Sequence, residues 1–135
     1  MSDIPIDLNI IAQIESAMNP KAVNKATGAR GMYQFMPIAW KDVQQAYPEM
    51  SRYGYDQAFN PQVAQQFAQK LFELNAKRLG KKANVDNLLA SYNFGVGNVS
   101  KGVAFPKETR DYIAKYKKLL AQNQLEQELR RQVQR

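Results

Sequence analysis

Residues 7–37, DLNIIAQIESAMNPKAVNKATGARGMYQFMP, contain the signals for a helix, a glycine-bearing turn and the start of a second helix. Asp7 is a suitable N-cap, and apolar residues recur behind it at helical spacing until the Asn19-Pro20 pair interrupts the pattern. We therefore predict a helix over residues 8–18. Its inward face would consist of Leu8, Ile10, Ile11, Ile14, Ala17 and Met18.

The segment that follows, from Lys21 to Gly31, is polar and contains glycine, which is typical of a tight loop or short hairpin and not of a helix. Pro37 can then occupy the first position of a second helix, because a proline there loses no helical hydrogen bond. This second helix is predicted to end at Pro48. Its apolar residues are Trp40, Val43 and Tyr47.

The rest of the chain also reads as helices separated by turns. After the aromatic, turn-rich segment 49–59, an Asn-Pro pair at residues 60–61 is a typical helix start, and a wide apolar face continues from there to a stop at Gly80. A shorter helix is predicted over residues 86–93, and a last one begins near Pro106. The sequence therefore predicts a small, mainly α domain with a loop or short hairpin after the first helix.

The composition excludes several kinds of catalytic site. The 135 residues include neither cysteine nor histidine, so no disulfide, thiolate metal site, cysteine nucleophile or Ser-His-Asp triad can form. Any catalysis must use carboxylates, lysine, tyrosine, hydroxyl groups or the backbone, and we expect neither a metal nor a cofactor. The formal net charge of +7 favours an anionic partner such as nucleic acid, an acidic membrane or a cell-wall polymer.

Glu15 is unusual for its position. At about 100° per residue it falls between Ile11 and Leu8 on the first predicted helix, so a lone carboxylate lies within or at the edge of the apolar face. Burial of an ionised carboxylate is costly, and the usual response is a raised pKa that leaves the group protonated near neutral pH. A protonated carboxyl can act as a general acid. The structural alternative is an ion pair between Glu15 and a basic residue.

Three sequence blocks together resemble the signature of the Slt-type lytic transglycosylases, which are relatives of goose-type lysozyme. The first block comprises residues 15–22 and 28–37, and it resembles the family pattern E-S, N-P-x-A and G-A-x-G-x-x-Q-x-M-P. Residues 90–99 resemble the A-x-Y-N-A-G-x-G-x-V segment, and residues 108–113 resemble the E-T-x-x-Y-V segment. The blocks occur in order within residues 8–116, so their combination is far more specific than any one of them.

The resemblance implies a lysozyme-like fold and a peptidoglycan lytic transglycosylase, with Glu15 as its single catalytic acid and base. Glu15 would protonate the glycosidic oxygen between N-acetylmuramic acid (MurNAc) and N-acetylglucosamine (GlcNAc). Its carboxylate would then take the proton of the MurNAc C6 hydroxyl, which closes on the anomeric carbon to give 1,6-anhydro-MurNAc. The resemblance also implies that the N-acetyl group of the substrate replaces the second carboxylate that most glycosidases use.

The resemblance further implies supporting residues around the catalytic glutamate. Tyr112 would hydrogen-bond near the carboxylate, and Tyr92 and Asn93 would contact the sugar or shape the cleft. The remaining supporting residues are Ser16, Met32 and Gln34. Taken alone, each of these would be an ordinary core, loop or solvated helix residue, and a methionine is more often core filler than a ligand contact. Glu108 could be a functional acid or a first-turn residue that the helix dipole favours, and we favour the structural role.

Three other functions agree with parts of the sequence. In a goose-type lysozyme, the same fold and glutamate would direct water in place of the C6 hydroxyl, and only the product would differ. A helical nucleic-acid-binding module would explain the charge of +7, but no recognition helix with clustered basic residues is present, so we expect no nucleic-acid partner. A wall-binding subunit would retain the fold and turn over little substrate.

We predict a catalytic domain over residues 1–116 and a polar, basic helical tail over residues 117–135 that could contact an anionic surface. Because Leu125, Leu129 and Val133 recur every four residues among polar ones, the tail is either a narrow amphipathic helix or a frayed end. We expect a monomer whose partner is the peptidoglycan strand.

The amino terminus carries acidic residues where a secretory signal carries positive charge, and no apolar run approaches the roughly 18 residues of a membrane span. We therefore expect no signal peptide. A wall-degrading domain of this kind is expected in a phage endolysin, or in a virion protein that opens the wall during genome entry. It would be made in the cytoplasm of the infected host, with or without packaging in the virion, and would act on the wall from the periplasm.

Overall fold

The computed structural model describes residues 5–134 and is mainly α-helical, as the sequence predicts. Across those residues it contains helices and turns but no regular β-strand, and no helix is long and apolar enough to cross a membrane. The α-helices are α1 (Leu8–Ser16), α2 (Pro37–Ala46), α3 (Pro61–Leu79), α4 (Val85–Phe94), α5 (Val96–Ser100) and α6 (Lys107–Val133). Short 3-10 helices span Pro48–Arg52, Tyr55–Phe59 and Gly80–Lys82.

Helix α1 begins where the sequence predicts but ends two residues early, at Ser16 and not at residue 18. The Asp7 carboxylate accepts hydrogen bonds from two N–H groups of the first turn and so caps the helix. At the other end, Ala17 and Met18 take left-handed backbone conformations, with φ angles of 54° and 66°, and both residues are exposed. The prediction that they lie on the inward face is therefore wrong, because the chain reverses before it reaches the Asn-Pro pair.

The predicted loop or short hairpin after α1 is a compact turn with isolated antiparallel bridges. Arg30 bridges both Val23 and Phe35, and its N–H and carbonyl groups each bond to Phe35 at 3.0 Å. Gly31 has a φ angle of 82°, and a Cβ on it would lie 1.9 Å from the carbonyl oxygen of Ala58. Only glycine fits there, and its close approach seats the turn against the second 3-10 helix.

The hydrophobic core is centred on α3, which runs from the predicted start at residues 60–61 to the predicted stop at Gly80. Helix α3 packs against α1, α2, α4 and α5. Trp40 of α2 stacks on Phe67 of α3 with ring centroids 3.4 Å apart, and Phe35 packs edge-on against both rings. The turn after α1 is thereby anchored in the core.

The helix ends elsewhere agree with the predictions to within a few residues. Helix α2 ends at Ala46, and Pro48 then begins a 3-10 helix. Helix α4 is one residue longer at each end than the predicted range 86–93. The predicted break is present at Gly95, which has a φ angle of 97°, but the short helix α5 that follows it was not predicted.

Helix α6 is a single helix of 27 residues with two unlike halves. Its first half packs against α1 and α4. Its buried residues are Thr109, Tyr112, Ile113 and Tyr116. Beyond Leu120 almost every side chain is exposed, so the predicted tail is helical and not frayed. Since α6 is continuous across residue 116, the division of the chain at that point stays a prediction.

Candidate active site

Glu15 lies near the end of α1, half-buried beside the first half of α6. The Tyr112 hydroxyl donates a hydrogen bond of 2.8 Å to Glu15 Oε2. Burial and the nearby carboxylate raise the pKa of Tyr112, so its phenol remains a neutral donor. No ion pair within residues 5–134 includes Glu15. The alternative in which a basic residue pairs with Glu15 is therefore not the observed arrangement.

The surroundings of Glu15 raise its pKa from an ordinary value of 4.5 to about 7. Burial is the main cause, because it disfavours the ionised carboxylate. The Tyr112 hydrogen bond lowers the pKa, and the negative charge of Glu108 raises it further. Protonated and ionised forms are therefore both populated near neutral pH, which suits a group that donates a proton in one step and accepts one in the next.

Tyr92 of α4 lies near the same carboxyl. Burial raises the pKa of Tyr92 well above its usual value, and the charge of Glu15 adds to this rise. The Tyr92 ring stacks on Phe72 with centroids 5.0 Å apart, and its hydroxyl donates to the carbonyl oxygen of Tyr33 at 2.5 Å. Tyr92 therefore joins α4 to the turn after α1 and fixes that wall of the site.

Ser16 and Met32 meet in the structure, but through the backbone of Met32. Ser16 Oγ lies 2.7 Å from the Met32 carbonyl oxygen and 3.1 Å from that of Ala12. The side chain of Met32 packs, partly buried, against the core. Ser16 thus ties the end of α1 to the turn, one residue after the candidate acid.

Gln34 also holds this turn in place. Its backbone is left-handed, with a φ angle of 53°, and its side-chain Nε2 donates to the carbonyl oxygens of Gly31, at 2.9 Å, and Ala22, at 3.3 Å. Both hydrogen bonds are donated by Nε2. The amide oxygen Oε1 takes part in neither of them and can accept a hydrogen bond from a ligand.

Asn93, at the end of α4, is bonded to a residue that the sequence analysis missed. The hydroxyl of Thr109 donates to Asn93 Oδ1 at 2.8 Å. Thr109 belongs to the third block, directly after Glu108, and it lies three residues before Tyr112 on the same face of α6. Its place in a matched block, one turn from the tyrosine that contacts Glu15, was a signal that could have identified it.

The acidic residues around Glu15 do not form a ligand cluster. Glu108 acts on Glu15 through its charge, although its position at the start of α6 favoured a helix-dipole role over a functional one. In the part of the chain that the structure describes, no three His, Cys, Asp or Glu side chains converge in a way that could hold a metal ion. The groups that the site offers are the Glu15 carboxyl for proton transfer and the surrounding phenols and amides for hydrogen bonding.

One family model, the transglycosylase SLT domain, matches residues 5–114 of the 135-residue chain. No solved structure matches this chain. The matched region contains Glu15, Tyr92 and Tyr112, and it ends before the exposed half of α6. Because the match covers most of the chain, the protein belongs to the transglycosylase SLT domain family, whose activity is the lytic transglycosylation of peptidoglycan.

Proposed function

We propose that this protein cleaves the β-1,4 bond between MurNAc and GlcNAc in peptidoglycan, with Glu15 as its catalytic acid and base. The observation that carries the proposal is the state of the Glu15 carboxyl, which is half-buried, bonded to Tyr112 and has a pKa of about 7. Family membership supports the substrate class, and the geometry supports the choice of this residue among the acids of the chain.

In the first step, protonated Glu15 gives its proton to the glycosidic oxygen as the bond between that oxygen and C1 of MurNAc breaks. The GlcNAc side leaves with a new hydroxyl, and the N-acetyl group of the MurNAc stabilises the positive charge at C1. In the second step, the Glu15 carboxylate takes the proton of the C6 hydroxyl while O6 bonds to C1. The product is 1,6-anhydro-MurNAc, Glu15 is protonated again, and no water is consumed.

The other predicted residues support this chemistry by holding Glu15 and the cleft in place. The Tyr112 hydroxyl holds one carboxyl oxygen, Oε2, and we propose that the other oxygen, Oε1, transfers the proton. Ser16, Gln34 and Tyr92 anchor the turn that borders the site. We propose that Asn93, and Met32 through its backbone, shape the surface on which the glycan lies.

Mass spectrometry of purified peptidoglycan digested by wild-type protein and by Glu15→Gln tests the proposal. Glutamine keeps the shape of the side chain and accepts the Tyr112 hydrogen bond, but it cannot supply a proton. We expect 1,6-anhydro ends from the wild type and nearly none from Glu15→Gln. The matched control is Glu126→Gln, which removes the same charge from an exposed glutamate of α6 and should digest like wild type.

The product distinguishes the proposed reaction from its nearest alternative. Reducing MurNAc ends would mean that water attacks C1, which is goose-type lysozyme chemistry with the same glutamate. Undiminished digestion by Glu15→Gln would contradict the assignment of this residue. Absence of digestion by the wild type would shift the function to wall binding without turnover.

We also propose a biological setting, which is a phage that degrades the wall during lysis or genome entry. The net charge of +7 supports attraction to an anionic wall polymer, and the tail over residues 117–135, with five basic and two acidic residues, could add contact with an anionic surface. In this setting the protein is a monomer that is made in the host cytoplasm and acts in the periplasm. Immunodetection in purified virions and in lysates separates the entry role from the lysis role.

A further inference from the structure

The hydrogen bond between Thr109 and Asn93 has a defined direction. In a helix, a threonine hydroxyl commonly donates to the backbone carbonyl three or four residues earlier. The hydroxyl of Thr109, which is only 1% exposed, instead donates to Asn93 Oδ1 on α4 at 2.8 Å.

This direction determines which end of the Asn93 amide is available. An asparagine side chain has one acceptor oxygen and one nitrogen with two N–H donors. Because Thr109 holds Oδ1, the nitrogen Nδ2 lies on the opposite side of the amide. No protein group within residues 5–134 accepts its hydrogens, and Asn93 is only half-buried. The amide therefore has N–H donors, and not its oxygen, available to a ligand.

Asn93 and the Glu15 carboxyl both bond to the first half of α6. Thr109 and Tyr112 are three residues apart and share one face of α6, so their partners, Asn93 and Glu15, both lie against that face. The charge of Glu15 also acts on Tyr92, the residue before Asn93. A glycan that extends from Glu15 along this face of α6 would reach these N–H donors.

We propose that Thr109 is a positioning residue for glycan recognition, and that it orients Asn93 so that Nδ2 donates to an oxygen of the bound glycan. That oxygen belongs to a sugar hydroxyl or to an acetamido carbonyl. Without the Thr109 donor the amide is free to turn over and present Oδ1, which repels an acetamido carbonyl oxygen and accepts from a sugar hydroxyl only where that hydroxyl can donate. The inference rests on the proposed function, because it takes peptidoglycan as the ligand.

Kinetics on soluble, uncrosslinked peptidoglycan strands test this inference. Thr109→Val keeps the shape of the side chain without its hydroxyl, and we expect it to raise KM about ten-fold, a change of the size that one lost hydrogen bond produces. We expect kcat to stay within about two-fold, because a contact made equally in the ground and transition states affects KM alone. Thr109→Ser retains the hydroxyl and should retain the wild-type KM.

A double-mutant cycle separates positioning from independent effects. Asn93→Ala should raise KM by a factor similar to that of Thr109→Val, and the protein with both substitutions should be no worse than Asn93→Ala, because the two residues act through one contact. Full additivity of the two effects would overturn the inference. A lower Tm of Thr109→Val with an unchanged KM would also overturn it. That result would mean that the Thr109 hydrogen bond only holds α6 against α4 and has no effect on glycan binding.

NMR provides a readout that does not depend on the folding of Thr109→Val. In Glu15→Gln, which binds glycan without cleaving it, the side-chain NH2 signals of Asn93 should shift on addition of a GlcNAc–MurNAc tetrasaccharide. Unchanged Asn93 signals would overturn the inference. The digestion experiment distinguishes this outcome from failure of the proposed function. If the proposed function is wrong, the wild-type protein leaves peptidoglycan intact, whether or not the Asn93 signals shift.

Discussion

The two halves of α6 belong to one continuous helix but differ in what holds them. In the first half, three hydroxyls spaced three and four residues apart reach three other parts of the chain. Thr109 bonds to α4, Tyr112 to α1, and Tyr116 accepts the N–H of the residue that caps α1. In the second half, the ion pair between Arg131 and Glu128 stays within the helix itself.

The comparison shows that amphipathic spacing alone does not identify the half of α6 that builds the site. The second half has its own apolar stripe, yet Leu125, Leu129 and Val133 are 61%, 51% and 84% exposed. The first half differs from it by the hydroxyl groups of Thr109, Tyr112 and Tyr116 on its buried face. Buried hydroxyls must find partners, and those partners set the positions of α1 and α4.

The largest difference between the halves should appear in stability. Tyr116 is 1% exposed and Leu129 is 51% exposed. We expect Tyr116→Ala to lower the free energy of unfolding by about 3–5 kcal/mol, as for other large buried aromatic residues, and Leu129→Ala to change it by less than about 0.5 kcal/mol. Urea unfolding measures both. Equal losses would contradict the comparison and would mean that the second half is packed in solution.

The next largest effect should be on catalysis, through the contact between Tyr112 and Glu15. We expect Tyr112→Phe to lower kcat/KM by about 10- to 1000-fold, because the carboxyl loses the group that positions it. The hydroxyl also lowers the pKa of Glu15, so its removal raises that pKa above the present value of about 7. The proposed mechanism needs protonated Glu15 first, and the upper limb of the pH–rate profile should therefore move to higher pH.

The pH dependence of kcat/KM measures this effect, and circular dichroism shows whether the variant is folded. A folded Tyr112→Phe protein with wild-type kcat/KM would show that Tyr112 is an ordinary core residue. A lower rate with an unmoved upper limb would mean that the hydroxyl acts on something other than Glu15.

The sequence predicted the helices well where local signals were strong. Asp7 and the Asn-Pro pair at residues 60–61 are caps with known side-chain chemistry, and both begin helices where expected. The early end of α1 could not be predicted, because Ala17 and Met18 take left-handed conformations for which neither residue has a preference. Short α5 likewise has no local signal that separates it from a turn.

For the site, the helical position of Glu15 predicted a carboxyl with a raised pKa, and the structure gives it one of about 7. Its partner could not be derived from spacing, because Tyr112 is 97 residues away in the chain and was named by family resemblance alone. Thr109 was missed for the same physical reason. A hydroxyl on a helix gives no sign in the sequence of whether it bonds within its helix or across to another.

The smallest effect that separates the halves of α6 is electrostatic. Glu108 raises the pKa of Glu15, so Glu108→Gln should lower that pKa and move the upper limb of the pH–rate profile to lower pH, opposite to Tyr112→Phe. The shift should be a fraction of a pH unit, because Glu108 is exposed and solvent screens its charge.

Glu126→Gln is the matched control for this last measurement. It removes the same charge from the same helix, but Glu126 lies about 21 Å farther along α6 than Tyr112 at 1.5 Å per residue. We expect no shift from Glu126→Gln at physiological salt, where the Debye length is about 8 Å, and a smaller shift from Glu108→Gln at 1 M salt. Equal shifts from both variants would indicate an effect of net charge. A shift from Glu108→Gln alone would show that proximity to Glu15, and not charge on α6 in general, affects the protonation of Glu15.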